Sequence, residues 1–86
     1  MDLRLDPTSV AWRDVEGEVV VIDLKNSEFF SLNDAAQGLW PLLHRGTTNT
    51  ELVQALVERY DVDLVRAESD VRGLLVQLRQ RGFLAG

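Results

Sequence analysis

The sequence predicts an α+β domain in which a three-stranded antiparallel sheet is followed by three helices. β-branched and aromatic residues crowd residues 10–32 in short runs separated by turn formers. From residue 33 to 82 apolar residues instead recur at helical spacing. Strands segregated ahead of helices place the sheet at one side of a helical bundle. Length adds a third constraint: 86 residues divided in two would leave each core too thin to fold, so residues 1–86 form one domain.

Val10-Ala11-Trp12-Arg13 reads as the first strand and Val19-Val20-Val21-Ile22-Asp23-Leu24 as the second. Between them, the acidic stretch 14–18 supplies a hairpin turn, with Gly17 tolerating positive φ at no steric cost. Lys25-Asn26-Ser27 punctuates the chain before a short third strand, Glu28-Phe29-Phe30-Ser31-Leu32. The segment before Thr8 carries no such pattern and reads as loose.

Asn33 caps the first helix, whose stripe is Ala35, Ala36, Leu39, Trp40, Leu42 and Leu43, with His44 and Arg45 at the negative end and Gly46 as the stop. Pro41 has no N–H for the Gln37 carbonyl, so a kink or a restarted helix is expected there. Thr48-Asn49-Thr50-Glu51 has capping-box spacing ahead of Leu52, Val53, Leu56, Val57 and Tyr60, the second helix. Asp63 caps the third and longest helix, striped by Leu64, Ala67, Val71, Leu74, Leu75 and Leu78 and ending at Arg79, Arg81 and Gly82. Phe83-Leu84 then folds back over the core.

Nine Lys and Arg against fourteen Asp and Glu give a net charge of −5, which argues against a general nucleic-acid binder. The charge is uneven: residues 1–63 hold five cations and twelve anions, whereas 64–86 carry Arg66, Arg72, Arg79 and Arg81 against Glu68 and Asp70. The absence of cysteine excludes disulfides, thiolate catalysis and cysteine-based metal sites. The longest apolar run, residues 19–22, falls far short of the ~20 residues that span a bilayer, and the start of the chain lacks a signal-peptide pattern. No membrane association and a cytoplasmic location are the expectations.

Catalytic chemistry is scarce. His44 is the only histidine and falls at a helix end, where capping or simple exposure explains it. Ser27, Ser31 and Ser69 have no evident base, and neither a phosphate loop nor a metal-ligand spacing is present. Asp14, Glu16 and Glu18 flank a turn that reads as solvated rather than as a cation site. The expectation is a protein that is no enzyme, with no catalytic residue, metal or cofactor. Trp12 and Trp40 are candidate anchors, with Trp40 assigned to the core beside the helical stripe.

What remains is binding. If residues 28–32 pair only with the second strand, their other edge offers free backbone groups. Phe29 and Phe30 must point to opposite faces, so a core absorbs only one of them fully. On the third helix Val65 and Val76 lie beyond the apolar stripe, beside Glu68, Ser69, Arg72 and Arg79, giving a mixed apolar and charged flank.

In this arrangement the chain resembles the PqqD-like domains, or RiPP recognition elements, which bind leader peptides of ribosomally made, modified peptides. The resemblance rests on the hairpin, on EFFSLNDAAQGLW, on GTTNTEL, on LVERYDVD and on AESDVRGLLVQLRQRGFL, in that order. Within that family the chain looks like the stand-alone leader-binding protein of lasso-peptide pathways. Phe29-Phe30-Ser31 replaces the Tyr-Pro-Glu-like segment of the quinone-cofactor members, and Pro41 departs from the usual uninterrupted first helix.

The resemblance implies a winged helix-turn-helix-like fold in which the leader adds antiparallel to the third strand and lies against the third helix, a case of β-augmentation. Glu28, Phe29, Phe30, Ser31 and Leu32 would meet its backbone. A cleft between Phe29 or Phe30 and Val65, Glu68, Ser69, Arg72, Val76 and Arg79 would take its side chains. The implied partners are a precursor leader, a separate leader peptidase and a macrolactam-forming enzyme, with the domain a monomer or a dimer through its strand edge. Delivery to a quinone-cofactor or radical-enzyme pathway is the alternative within the family, and a winged-helix DNA-binding module the alternative of another class.

Overall fold

The computed structural model describes residues 2–85. The strands are β1 (Val10–Val15), β2 (Glu18–Asp23) and β3 (Glu28–Ser31), followed by the helices α1 (Asp34–Arg45), α2 (Asn49–Tyr60) and α3 (Leu64–Gln80). The sheet is antiparallel in the order β1-β2-β3. This is the expected α+β architecture, although β1 runs two residues past Arg13, and Leu24 and Leu32 lie outside the strands.

The β1–β2 turn determines which way the sheet's backbone faces. Glu16 and Gly17 are its two central residues with φ of 54° and 86°, the mirror-image turn whose twist suits a two-residue hairpin. Such a turn makes Val15 and Glu18 a hydrogen-bonded pair, so Glu18, Val20 and Ile22 face β1 with their backbone groups. Leu24 N continues this alternation by donating to Ser9 O at 3.0 Å. Val19, Val21 and Asp23 therefore turn their backbone toward β3, and their side chains toward the core, where all three are buried.

The core lies between that face and the helices, built on Val10, Val19, Val21, Leu39, Trp40, Leu43, Leu52, Leu56, Ala67, Val71, Leu75, Leu78 and Phe83. Trp40 is 0% exposed, as its place beside the helical stripe predicts. α1 is one helix through Pro41, without the restart that proline made an expectation. The capping box at α2 is only half formed. Thr48 accepts from Glu51 N at 3.1 Å, but the Glu51 carboxylate is taken by the Thr47 hydroxyl and the Arg45 guanidinium instead of the Thr48 amide.

The segment before Thr8 is not loose. Leu3 exchanges backbone hydrogen bonds with Thr47, Leu5 N donates to Leu43 O, Asp6 N to Phe83 O, and Ala85 N to Arg4 O. Leu5 is buried in the core. Alternating Leu3 and Leu5 span too few residues to give a strand signal, yet two apolar side chains and a few backbone bonds suffice to hold this arm. The arm at residues 3–6 is thus tied to the tail at residues 83–85, to the end of α1 and to Thr47 just after it. Among the described residues no helix is long and apolar enough to cross a membrane.

α3 ends in a Schellman motif: Phe83 N donates to Leu78 O at 2.9 Å and Gly82 N to Arg79 O at 3.1 Å, with Gly82 at φ 74°. The turn carries Phe83 back into the core, as expected. An L-residue in this left-handed conformation costs about 1 kcal/mol. Gly82→Ala is therefore expected to lower the unfolding free energy by about that much, read as a shifted urea midpoint at unchanged slope.

Candidate functional site

β3 has one open side. Its residues pair with β2 as Val20 to Ser31, Val21 to Phe30, Ile22 to Phe29 and Asp23 to Glu28. Since Val21 and Asp23 turn their backbone groups toward β3, Phe30 and Glu28 answer them, and Phe29 and Ser31 direct their N–H and C=O groups outward. Among the described residues no other backbone group bonds to β3 on that side. The N-terminal arm and the C-terminal tail are engaged elsewhere.

The two phenylalanines divide as strand geometry requires. Phe30 shares the core-facing side with Val21 and Trp12, whereas Phe29 lies with Ile22 and Ala11 on the outer side and is 72% exposed. Phe30 is held edge-on by Phe83, with ring centroids 6.3 Å apart, and the Arg81 guanidinium lies 3.9 Å above its ring. Leu32, half-buried, leads from the strand to the α1 cap, where its carbonyl accepts from Gln37 Nε2 and Asn33 Oδ1 accepts from Ala36 N.

The turn before β3 is held by one carboxylate. Asp23 accepts from the backbone amides of Lys25 and Asn26 and from Asn26 Nδ2, at 3.0 to 3.2 Å. These bonds, led by that from the Asn26 side chain, outweigh the effect of burial and hold its carboxyl below the usual carboxylate range; Arg81 adds a nearby positive charge. Ser27, with φ 56°, then turns the chain into the edge strand.

α3 presents two flanks, and the cleft expected from the sequence does not form between the residues first grouped for it. Arg66, Ser69, Asp70, Gly73, Leu74 and Gln77 line a groove of about 600 Å³ with residues 33–36, immediately beyond β3. Arg81, over Phe30, continues that flank one turn further. Of the helix residues singled out in the sequence, only Ser69 lies there. Glu68, Arg72, Val76 and Arg79 line a separate cavity of about 230 Å³ with Leu3 and Asn49, and Val65 is 78% exposed and in neither. The surplus of Val65 and Val76 is real, but which flank turns to β3 is set by the Arg81-Gly82-Phe83 reversal, and a wheel diagram of α3 alone does not contain it. For that reason periodicity along α3 alone does not single out Gly73 and Gln77, which line the groove, or Arg81, which lies over Phe30.

His44 is exposed, as expected, and also accepts a hydrogen bond at Nδ1 from Trp12 Nε1 at 3.2 Å, tying β1 to the end of α1. Among the described residues no three His, Asp or Glu side chains gather into a metal-binding group.

Residues 18–84 match the family model described as coenzyme PQQ synthesis protein D (PqqD). The chain belongs to the PqqD family. Two solved structures resemble this PqqD-family chain over nearly its full length. "TbiB1 in Complex with the TbiA(beta) Leader Peptide" is 29% identical, covers 96% of this chain and 95% of its own, and superposes with a TM-score of 0.85. "Lasso peptide synthetase B1 complexed with the leader peptide" is 26% identical, covers 100% of both chains and gives a TM-score of 0.84. No curated protein matches.

In this PqqD-family chain the lowered pKa of Asp23 links folding to acid. Its ionised form is favoured in the folded state, so the contribution is complete above the unfolded value near pH 4 and is lost as pH falls through the folded value. Asp23→Asn is expected to flatten the decline of the urea midpoint below about pH 4 without abolishing it, because the Thr8-bonded Asp6 carboxyl is lowered as well. An acid decline as steep as the parent's would contradict this role.

Proposed function

We propose that this chain binds the leader peptide of a ribosomally synthesised precursor as an added strand on the open edge of β3 and presents it to a separate leader peptidase and a macrolactam-forming enzyme, as in lasso-peptide biosynthesis. The observation that carries the proposal is the open edge itself, with the outward backbone groups of Phe29 and Ser31. The two solved relatives, both complexes with a leader peptide and one of them a lasso peptide synthetase B1, support it and favour it over delivery to a quinone pathway.

An added strand takes its register from those backbone groups and its selectivity from what its alternating side chains meet. On the outer side they meet Phe29. On the inner side they meet Phe30, Leu32 and the α3 flank of Ser69, Gly73 and Gln77, with Arg81 at one end and Glu28 at the start of the strand. Val65, Glu68, Arg72, Val76 and Arg79 lie off this path.

A disordered leader loses conformational entropy on docking, so a few well-buried anchors must supply the surplus, for affinities on the order of nM to μM. Once it is bound, the scissile bond stays near the processing enzymes at raised effective concentration. The domain's contribution is to hold and present.

Ser31→Pro tests the edge. The Ser31 N–H points away from β2, so proline leaves the β2–β3 ladder intact and removes one donor to an added strand. In fluorescence polarisation with a panel of fluorescein-labelled lasso-precursor leaders that includes the TbiA(β) leader, we expect Ser31→Pro to fold as the parent does and to bind at least about tenfold more weakly. A normally folded Ser31→Pro that binds as tightly as the parent contradicts strand addition.

A further inference from the structure

Gly73 lies in the middle of α3, where glycine is unfavourable relative to alanine because it leaves the unfolded backbone freer and adds no packing. Glycine often persists in a helix where another element packs on the bare backbone. Within this chain nothing does: a Cβ built on Gly73 meets no atom within 4 Å, and the residue is exposed. Its φ is not in the left-handed region, so the backbone does not require glycine either. The fold alone gives no reason for this residue.

Its position does. Gly73 lies midway along the α3 wall of the groove that faces residues 33–36, with Ser69 and Asp70 on one side and Gln77 on the other. Ala35, Ala36, Leu39 and Leu74 contribute apolar surface to the same groove. A missing side chain at this point widens the groove just where a strand on β3 would direct every second side chain toward α3.

We infer that Gly73 sets the size of a seat in this groove: one bulky apolar side chain of the bound leader packs against the bare α3 backbone, and any larger residue at 73 closes the seat. The inference rests on the leader-binding reading above and adds to it a position that the fold itself does not need. It makes stability and binding move in opposite directions, which a purely structural role for Gly73 does not.

The test uses the full chain and the same labelled leader panel, with Gly73→Ala and Gly73→Leu beside Ser31→Pro and an added leucine on exposed α2, Gln54→Leu. Gly73→Ala is expected to raise Tm by about 4 °C while weakening binding. Gly73→Leu is expected to weaken it at least about tenfold, and Gln54→Leu to leave it unchanged. If Gly73→Leu does not fold, Gly73→Ala decides: higher Tm with weaker binding supports the seat, and unchanged binding overturns it. Gly73→Leu binding as tightly as the parent while Ser31→Pro does not overturns the seat and leaves strand addition standing. A parent chain that binds no leader of the panel overturns both.

Discussion

The structure depends on a strand that the chain leaves half paired. β3 is four residues long and bonded on one side to β2. Its outer backbone groups can bond to water at little cost, whereas burying them unpaired would cost about 1–3 kcal/mol each. An open edge is therefore stable at a surface and is also a template for another chain. What keeps it open is the use made of the two ends. The N-terminal arm bonds to Thr47 and Leu43, and the C-terminal tail bonds to that arm through Asp6 and Arg4.

The same economy positions the edge. A two-residue turn at Glu16 and Gly17 fixes the pairing of β1 with β2, that pairing fixes which β2 groups face β3, and those in turn leave Phe29 and Ser31 outward. Asp23 joins the two functions of β2 by lying under the sheet and holding the turn that leads into β3. From the other side Phe83 and Arg81 hold the Phe30 ring, so the Schellman turn at the end of α3 also supports the middle of the edge strand. Helix stop, turn and edge strand form one connected device.

The strands, the helices and their caps were legible because each has a local cause: Asn33, Thr48 and Asp63 each accept from an amide in the first turn of the helix they were expected to cap. The open edge was legible as a condition, that residues 28–32 pair only with the second strand, and the structure meets it because the arm and the tail bond elsewhere. The α3 flank was not. Val65 and Val76 stand out on the helix by periodicity, but the side that faces β3 depends on how Phe83 returns to the core, a tertiary fact. The arm carrying Leu3 and Leu5 was missed because its bonds go to residues far along the chain. At Pro41 the helix does not restart, and α1 continues through it from Asp34 to Arg45.

The most direct measurement is residue-resolved amide hydrogen exchange with and without a saturating leader peptide. If the leader adds to β3, the Phe29 and Ser31 amides exchange rapidly in the free protein and become strongly protected in the complex, while the Phe30 amide, already bonded to β2, is protected in both. Phe29 and Ser31 amides that exchange equally fast in the saturated complex would contradict the account, because a leader bound without using them is not completing this sheet.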